Sequence, residues 1–494
     1  MTSAKPLLAI LPALLLSACT LGPDFVPPEA KGVQSYTAPG DQAMPADQQL
    51  ALGKPADMQW WKQFQSPSLN ALVEQAASGS RDLAAAQARL VLAQEQITVA
   101  RASLLPQVSL NTAIGEQNYS LGQQNLATPL NIMLPPFTYY GVQPTASFPL
   151  DLFGGNRRAL ERARALADYQ NYQLKAVTLT LYATITAQAF RNAGARAQIA
   201  NLKEVIAGDE RNVKLVQTEI EAGSGTRTQL LTVQSQLAAD RTLVPDFEQE
   251  EALSRHALAA LVGQAAGNWT MPSFSLEGFN LPREIPASLP SELIHQRPDI
   301  LAAEAQLHMA SAAIGIATAN LYPQLSLNAS LTRNALTPER LFTDAPNLWT
   351  IAAGLTAPLF TGGRLSAQKR IAIQAYQAAL ADYEKTVLDA FVRVADALQA
   401  LANDAARLTA QKQAEETSAE ALDLARRSFE AGNSGILDVI DAERRYAQAK
   451  LGVSRAQEAR LQHTVQLYVA LGGVEVPETK AEPGPDAGRP CCSY

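Results

Sequence analysis

The alternation of hydrophobic and polar residues repeats itself in two distant parts of the chain. The stretch ARASLLPQVSLN, residues 100–111, returns as ATANLYPQLSLN, residues 317–328. In both copies an alanine-rich, helix-forming run stops at a proline, Pro106 or Pro323, and alternating apolar and polar residues follow. Proline cannot donate the amide hydrogen bond that continues a helix, and it disfavours helical geometry in the preceding residue. Each copy therefore predicts a helix that leads directly into a strand.

Further matches extend this repeat over most of the chain. FPLDLFGGNR at 148–157 corresponds to APLFTGGR at 357–364, and EAGSGTRTQLL at 221–231 corresponds to EAGNSGILDVI at 430–440. The order and the spacing of the matches are kept, which indicates the tandem duplication of one large unit rather than a solenoid of short repeats. We place the two structural repeats at 66–290 and 291–476.

Each repeat is predicted to contain a helix, two strands separated by a long loop, a Gly-Gly return, a very long helix, a glycine turn and a further helix. The alternation of residues predicts four strands, at Gln107–Gln117, Tyr139–Leu150, Gln324–Asn334 and Leu348–Phe360. The return from strand to helix is predicted at the two glycine pairs, Gly154–Gly155 and Gly362–Gly363.

The clearest long helix is predicted in the second repeat. Residues 364–431 contain neither proline nor glycine, and their apolar positions recur mainly every three or four residues, as in a coiled coil. A helix of this size is about 100 Å long at 1.5 Å per residue. It does not fit into a compact domain, and it predicts a rod, a bundle or a tube.

The long helices are predicted to end at glycine-rich turns. The glycines are Gly223 and Gly225 in the first repeat and Gly432 and Gly435 in the second. In the first turn, Thr226 and Gln229 have the spacing of a capping box, in which each side chain bonds to the backbone amide of the other residue. We therefore expect a new helix to begin at this threonine.

The N-terminus has the pattern of an export signal. Lys5 precedes an apolar run at 7–16, and the small residues of LSAC lead to Cys19. This apolar run is too short to span a membrane. We predict a signal peptide at 1–18 and lipid attachment at Cys19; the alternative is an ordinary signal peptide followed by a coincidental cysteine. The residue after this cysteine is Thr20 and not aspartate. In the lipoproteins that this segment resembles, an aspartate at this position favours retention in the inner membrane, and another residue favours delivery to the outer membrane.

The strands leave two interpretations open. Strands of about ten residues with flanking aromatic side chains are typical of outer-membrane barrels, but they also suit a small soluble sheet that caps the helices. The uncharged stretch at 305–332 contains several polar residues and Pro323, so we do not expect it to cross a membrane as a helix. Four strands cannot close a barrel, which needs about eight. A barrel would therefore require a dimer with eight strands or a trimer with twelve.

Charge and composition argue against several other functions. The net charge is −7 and no basic stripe is present, so we expect no nucleic-acid partner. The four histidines are scattered, and we find no nucleophile elbow and no phosphate-binding glycine loop. We predict no enzymatic activity, no cofactor and no metal. The tail at 477–494 is rich in proline and glycine and is predicted to be disordered, and we assign no role to its adjacent Cys491 and Cys492.

Three stretches resemble a known family. They are CTLGPDFVPPEA from Cys19, WWKQFQSPSLNALVEQA from Trp60, and RPDILAAEAQLHMASAAIGIATANLYPQLSL from Arg297. Together they are similar to the outer-membrane efflux lipoproteins of the resistance-nodulation-division type, the TolC- and OprM-like outer membrane factors. The resemblance extends over essentially the whole chain from the cysteine to Val476.

The resemblance implies a mixed α and β fold. Three chains would form a twelve-stranded outer-membrane β-barrel, four strands from each, that continues into a long periplasmic α-helical barrel. The segment at 19–65 would be lipidated and pack along the tube. The implied partners are two further copies of the chain, outer-membrane lipid, a periplasmic adaptor protein and an inner-membrane resistance-nodulation-division pump. The prolines and glycine pairs would then mark the junctions between helical tube and barrel.

The resemblance also assigns a role to two acidic residues. Asp438 and Asp441 lie three apart after the second glycine turn, and in a trimer they would form a ring of six carboxylates at the periplasmic constriction, which favours cations. The alternative is that they offset the dipole at a helix N-terminus. Gln229 stands at the corresponding place in the first repeat, and Ser434 replaces an arginine that some relatives carry.

The predicted function is an outer-membrane exit duct. It would passively conduct small toxic compounds or drugs from the inner-membrane pump to the exterior. The alternatives are an outer-membrane channel that secretes another cargo and a non-conducting, lipid-anchored helical scaffold.

Overall fold

The computed structural model describes residues 20–28, 35–37, 39–41, 44, 47–54, 57–118, 135–343 and 346–473. The predicted signal peptide, Cys19 and the tail at 477–494 lie outside these residues. The chain divides into two compact units. The first consists of the segment up to Pro28 with Leu90–Gln170 and Ala303–Tyr383, and the second consists of Glu29–Arg89, Asn171–Ala302 and the chain from Glu384 onwards.

The described elements follow the predicted order in each repeat. The strands are β1 (Gln49–Leu52), β2 (Gln107–Gln117), β3 (Phe137–Leu150), β4 (Glu284–Ala287), β5 (Gln324–Ala335) and β6 (Leu348–Thr356). The helices are α1 (Pro67–Gly79), α2 (Arg81–Ala102), α3 (Gly155–Glu221), α4 (Arg227–Arg241), α5 (Val244–Leu261), α6 (Pro290–Leu293), α7 (Pro298–Ala319), α8 (Arg340–Thr343), α9 (Arg364–Glu430) and α10 (Ile436–Leu471).

The two long helices have the same length in both repeats. α3 and α9 each contain 67 residues, and the bounds of α9 agree with the prediction to within one residue. The helices after the glycine turns differ, because the first repeat has a break before α5, where Pro245 occupies the first turn, whereas α10 runs unbroken for 36 residues. Proline is accepted in a first helical turn but not in the interior, so it fixes the break at this place.

The four predicted strands pair with one another in the first unit. Their order is β2-β3-β5-β6, and all neighbours are antiparallel. β6 ends at Thr356 rather than at the predicted Phe360. Pro358 explains the difference, because its nitrogen carries no hydrogen for the ladder. β2 and β6 are the edges of this sheet, so each has one side without a partner strand among the described residues.

The register places apolar side chains on one face of this sheet. Paired residues in antiparallel strands point to the same side, and alternate residues share a face. The pairs Leu110–Pro144, Ala146–Ala329 and Ala329–Ile351 therefore belong to one face. This face, which we call the apolar sheet face, comprises Val108, Leu110, Ile114, Tyr140, Val142, Pro144, Ala146, Phe148, Leu150, Leu325, Leu327, Ala329, Leu331, Ala335, Trp349, Ile351, Ala353 and Leu355, together with Thr112 and Thr138.

The opposite face of the sheet is mainly polar. It carries Ser109, Asn111, Gln143, Thr145, Ser326, Asn328, Ser330 and Thr350, and the hydroxyls of Ser109 and Thr145 lie 2.7 Å apart. Charged residues enter the apolar sheet face only towards the β2–β3 and β5–β6 loops, at Glu116 and Arg333. Large apolar side chains in the edge strands remain open to solvent in the single chain; Val108 is 75% exposed and Ile351 is 76% exposed.

An aromatic cluster forms the core of the second unit. The tryptophan motif folds into a 3-10 helix at Trp60–Phe64, which buries both tryptophans and the phenylalanine. Trp60 stacks on Tyr468 at 5.3 Å between ring centroids, and Phe64 meets Phe190 edge-on at 4.9 Å. Since buried aromatic pairs add to the free energy of burial, the motif fastens the N-terminal segment to α3 and α10.

The arginine of the RPD motif caps the C-terminal end of α10. The Arg297 side chain is buried and donates two hydrogen bonds, of 3.0 and 2.7 Å, to the Asp299 carboxylate. Burial alone would raise the pKa of Asp299, but the contacts with Arg297 outweigh burial and lower it below its ordinary value. The guanidinium also bonds to the carbonyl oxygen of Ala470 in the last turn of α10. The motif therefore satisfies helix-end carbonyls that would otherwise lack a donor.

One described helix, α7, is long and apolar enough to cross a membrane by length and composition. In its most apolar stretch of 18 residues, 44% is buried inside the protein. It ends at Ala319, four residues before Pro323, and β5 begins immediately after this proline. The uncharged stretch at 305–332 is thus divided between a helix and a strand.

We expect an arginine to be tolerated on one face of the sheet and not on the other. Ile351→Arg places a charge on the apolar sheet face, where a lipid-facing arginine costs about 2–4 kcal/mol near the bilayer midplane. Thr350→Arg, the adjacent residue on the polar face, is the matched control. Membrane extraction should show that only the Ile351→Arg protein fails to insert and assemble. Equal insertion of both variants would contradict a lipid-facing apolar sheet face.

Candidate functional site: the two glycine turns

Apolar side chains bring the helices beside the two turns together. Val216 on α3, Val233 on α4, Leu422 on α9, and Ile436 and Val439 on α10 are each at most 6% exposed and form one cluster. We call this group the turn cluster. Since it includes residues of all four helices, the two turns lie at the same end of this helical bundle. The sequence predicted each turn but not this contact between them.

The first turn ends α3 and begins α4 as predicted. The amides of Ser224 and Gly225 both donate to the carbonyl oxygen of Glu219, each at 2.9 Å. The Thr226 amide then donates to Oε1 of Gln229 at 2.7 Å, and the Gln229 amide donates to the threonine hydroxyl at 3.3 Å. This reciprocal pair confirms the predicted capping box.

The glycines of the turns have different physical reasons to be there. Gly223 and Gly432 have φ of 81° and 75°, a left-handed geometry that other residues rarely adopt. Gly225 is restricted by space, because an added Cβ would lie 2.9 Å from the amide nitrogen of Ile220. Gly435 has neither restriction, since its φ is −88° and no atom lies within 4 Å of an added Cβ.

Asp438 caps the helix that follows the second turn. Its Oδ2 accepts a hydrogen bond of 3.2 Å from the amide of Gly435, the residue before α10. In the first repeat the Gln229 side chain makes the equivalent bond to Thr226. The aspartate therefore serves as a helix cap in the single chain, which is the alternative role considered for it, and it is exposed to solvent at the same time.

Asp441 forms salt bridges with two arginines of the same helix, α10. Nη2 of Arg444 lies 2.9 Å from Oδ1, and Nη2 of Arg445 lies 2.7 Å from Oδ2. All three side chains are at least 41% exposed. The sequence predicts this contact, because residues three and four positions after Asp441 lie on the same face of the helix as the aspartate. Asp441 is therefore neutralised by cations of its own helix rather than left as a free negative charge.

The salt bridges of Asp441 affect the ion selectivity that the predicted constriction would have. The ring of carboxylates formed by Asp438 and Asp441 stays a prediction. A single chain brings to that ring two carboxylates and the two guanidiniums of Arg444 and Arg445. The ion selectivity of such a ring depends on whether these arginines remain paired with Asp441 or turn away from it.

The predicted prolines occupy equivalent positions in the two repeats, whereas the glycine pairs are offset by one residue, since Gly155 begins α3 and Gly363 precedes α9. Before Pro106 and Pro323, the helix ends in a tight turn whose amides donate to carbonyl oxygens three residues earlier, at 3.0–3.1 Å in both copies. β2 and β5 begin at the residue after each proline. Gly154, Gly362 and Gly363 all have positive φ, between 57° and 82°, immediately before α3 and α9.

The residues that follow Cys19 dock beside the first junction. The Arg158 side chain, 4% exposed, donates to the carbonyl oxygens of Leu21 and Gly22 at 3.2 Å, and it contacts the carboxylates of Asp24 at 2.8 Å and Glu161 at 2.7 Å. We call this arrangement the Arg158 clamp. Sequence reasoning missed it, because an arginine in an amphipathic helix carries no sign of a distant backbone partner.

Aromatic and steric contacts extend the clamp. Phe25 stacks on His308 at 4.3 Å, and Nε2 of this histidine lies 2.9 Å from Oε1 of Glu161. Gly22 fits against α7 only because it has no side chain, since an added Cβ would lie 2.4 Å from Cα of Gly315. His308 therefore joins the N-terminal segment to the helix that carries the clamp.

Comparison with known proteins identifies the family. The sequence profile described as outer membrane efflux protein matches residues 72–264 and 289–473, one segment in each repeat. The chain belongs to this family. It is 33% identical to the pyoverdine export outer membrane protein OpmQ of Pseudomonas putida over 473 residues, which cover 94% of this chain and 97% of that protein.

Solved structures of outer-membrane channels share the fold. The OprN channel superposes with a TM-score of 0.83 at 28% identity, covering 93% of this chain and all of that one. The open state of the MtrE channel of Neisseria gonorrhoeae gives a TM-score of 0.80 at 27% identity, covering 92% and 98%. The predicted fold class and outer-membrane location are confirmed. The efflux-channel family is not a family of enzymes.

Opposite substitutions at α10 should shift the ion selectivity of the channel in opposite directions. Arg444→Gln/Arg445→Gln leaves Asp441 unpaired and should increase the preference for cations, whereas Asp441→Asn leaves two unpaired arginines and should decrease it. Reversal potentials under a salt gradient measure both effects. Identical potentials in all variants would place these residues outside the conducting path and return Asp441 to a purely local role.

Proposed function

We propose that this chain is the outer-membrane exit duct of a tripartite efflux system. Three copies would form the channel, and it would conduct small toxic compounds passively from an inner-membrane pump through a periplasmic adaptor to the exterior. Energy for transport would come from the pump, since the chain needs only to provide a path. Family membership supports the general role of an efflux duct, and the finer statements are our proposal.

The apolar sheet face carries the proposal. One side of the four-stranded sheet is apolar and the other is polar, and both edges lack a partner strand among the described residues. In hydrocarbon every backbone donor and acceptor must be satisfied, so a sheet with open edges must close. Copies of the same chain are the simplest source of the missing strands. A scaffold that does not conduct requires neither the two-sided sheet nor its closure.

The position of the Arg158 clamp supports the lipid anchor that we propose at Cys19. Thr20, the next residue, lies so close to Gly154 that a Cβ there would be 2.8 Å from the threonine Cα. The clamp thus holds the start of the mature chain beside the junction where β3 ends and α3 begins. Acyl chains attached there would start close to the strands that enter the membrane.

The similarity to OpmQ favours one class of cargo as a second candidate. Two proteins named for pyoverdine export, from Pseudomonas putida and Pseudomonas aeruginosa, are 33% and 31% identical to this chain over nearly its full length. We therefore include an exported metabolite of this kind beside toxic compounds. Deletion of the gene followed by analysis of the culture medium distinguishes the two, since only loss of a secreted metabolite supports the second candidate.

Conductance in planar bilayers tests the proposed function most directly. The purified, assembled protein should produce discrete current steps, because a closed barrel joined to a tube forms a water-filled path. The Ile351→Arg protein, which we expect not to insert, provides the control for adventitious leaks. A folded and assembled preparation that inserts but carries no current would contradict the duct and favour the scaffold.

A further inference from the structure

Two carboxyl groups, one buried and one half-buried, lie between packed helices at positions where apolar residues would be expected. The first is Asp209 on α3, which is 6% exposed, and the second is Glu458 on α10 itself. Neither belongs to the predicted constriction or to the turn cluster. A buried carboxylate without a cationic partner is unfavourable, so each of these groups needs an explanation.

Asp209 faces other acids across a small cavity. The cavity has a volume of about 160 Å³ and is lined by residues of α3, α4, α9 and α10. Oδ2 of Asp209 is buried and has no hydrogen-bond donor among the described residues. Two other carboxyls that line this cavity are Asp240 on α4, which accepts a hydrogen bond of 2.8 Å from Gln236, and Glu443 on α10, which binds Asn212 and Arg426.

The cations around this cavity are already engaged or face solvent. Lys450 pairs with Glu204, Arg426 with Glu443 and Arg444 with Asp441, while Arg211 is exposed. Desolvation raises the pKa of Asp209 to about 7, and the neighbouring carboxyls of Asp240 and Glu443 act in the same direction. No group of three or more His, Cys, Asp or Glu residues in the described part of the chain is arranged to hold a metal ion. We therefore infer that a proton, rather than a metal ion or a basic side chain, neutralises Asp209.

Glu458 is in a similar position further along α10. It packs against the backbone of α3 at Gly194, where an added Cβ would lie 2.1 Å from Oε2. Desolvation raises the pKa of Glu458 to about 7, and the charge of Glu250 on α5 adds to the effect. Arg191 of α3, Gln462 and Arg455 oppose it, but Arg191 is itself 3.3 Å from the carboxylate of Glu250.

We propose that the packing of α10 against α3, α4 and α5 is a proton-dependent latch, in which Asp209 and Glu458 must be protonated for the helices to remain closely packed. Mildly acidic surroundings then hold the helices beside the glycine turns together, and alkaline surroundings loosen them. Both groups act in the same direction because desolvation and neighbouring carboxyls outweigh the cations around them. The latch concerns the helices alone and does not depend on what the channel conducts.

The direction of the pH effect follows from the raised pKa values. A group with a higher pKa in the folded state contributes stability that is complete below its unfolded pKa and is lost as the pH rises through the folded pKa. For Asp209 and Glu458 the loss therefore runs from their ordinary pKa, about 4, up to about pH 7, and it is complete above that pH. Between these two values each group weakens the packed arrangement by about tenfold per pH unit.

Hydrogen exchange of the assembled protein in detergent tests the latch. Amides in the first half of α10 and in α4 should lose protection from about pH 5.5 to about pH 8.5, after correction for the intrinsic pH dependence of exchange. In Asp209→Asn/Glu458→Gln, whose neutral side chains cannot ionise, protection should remain constant over this range. The matched control is Glu248→Gln/Glu416→Gln, which removes two exposed carboxylates and should behave like the wild type.

Two results would overturn the latch. One is constant protection of the wild type over the whole range, and the other is the same loss of protection in the double variant. If the double variant does not assemble, Asp240→Asn gives an independent answer, because removing this neighbour lowers the pKa of Asp209 and should shift the loss of protection to lower pH. An unchanged midpoint in that variant would also contradict the proposal. This experiment measures hydrogen exchange and not conductance, so its outcome does not depend on whether the protein conducts.

Discussion

A sheet with one apolar face and two open edges is the constraint on which the rest of this protein depends. Its backbone groups along β2 and β6 need partners, and its apolar side chains need a surrounding that excludes water. Neither need is met by the described residues of one chain. Closure with further copies in a membrane meets both needs at once, and it explains why four strands per chain suffice.

The helices depend on a different constraint, because very long helices must be held together by side-chain contacts near the glycine turns. Apolar residues of the turn cluster do this close to the turns, and the aromatic cluster around Trp60 and Tyr468 does it in the second unit's core. Between such contacts the helices also pack through carboxyl groups such as Asp209 and Glu458. Such a bundle is held by apolar contacts at some places and by carboxyl groups at others.

Sequence reasoning predicted the parts of this structure that depend on local chemistry. The prolines before β2 and β5, the capping box at Thr226 and the length of α9 all follow from short-range backbone rules. The Arg158 clamp and the acid pair of Asp209 and Asp240 did not follow, because they join residues far apart in sequence whose types are ordinary for a helix surface. The pairing of Asp441 with Arg444 was available from helix spacing.

The mass of the detergent-solubilised assembly, measured by native mass spectrometry, tests the central claim most directly. If the open-edged sheet closes by association, the protein should be recovered as three chains, and it should not be stable as a water-soluble single chain. A monodisperse, soluble monomer with the same secondary structure would contradict this account, because its apolar sheet face and both strand edges would then remain uncovered.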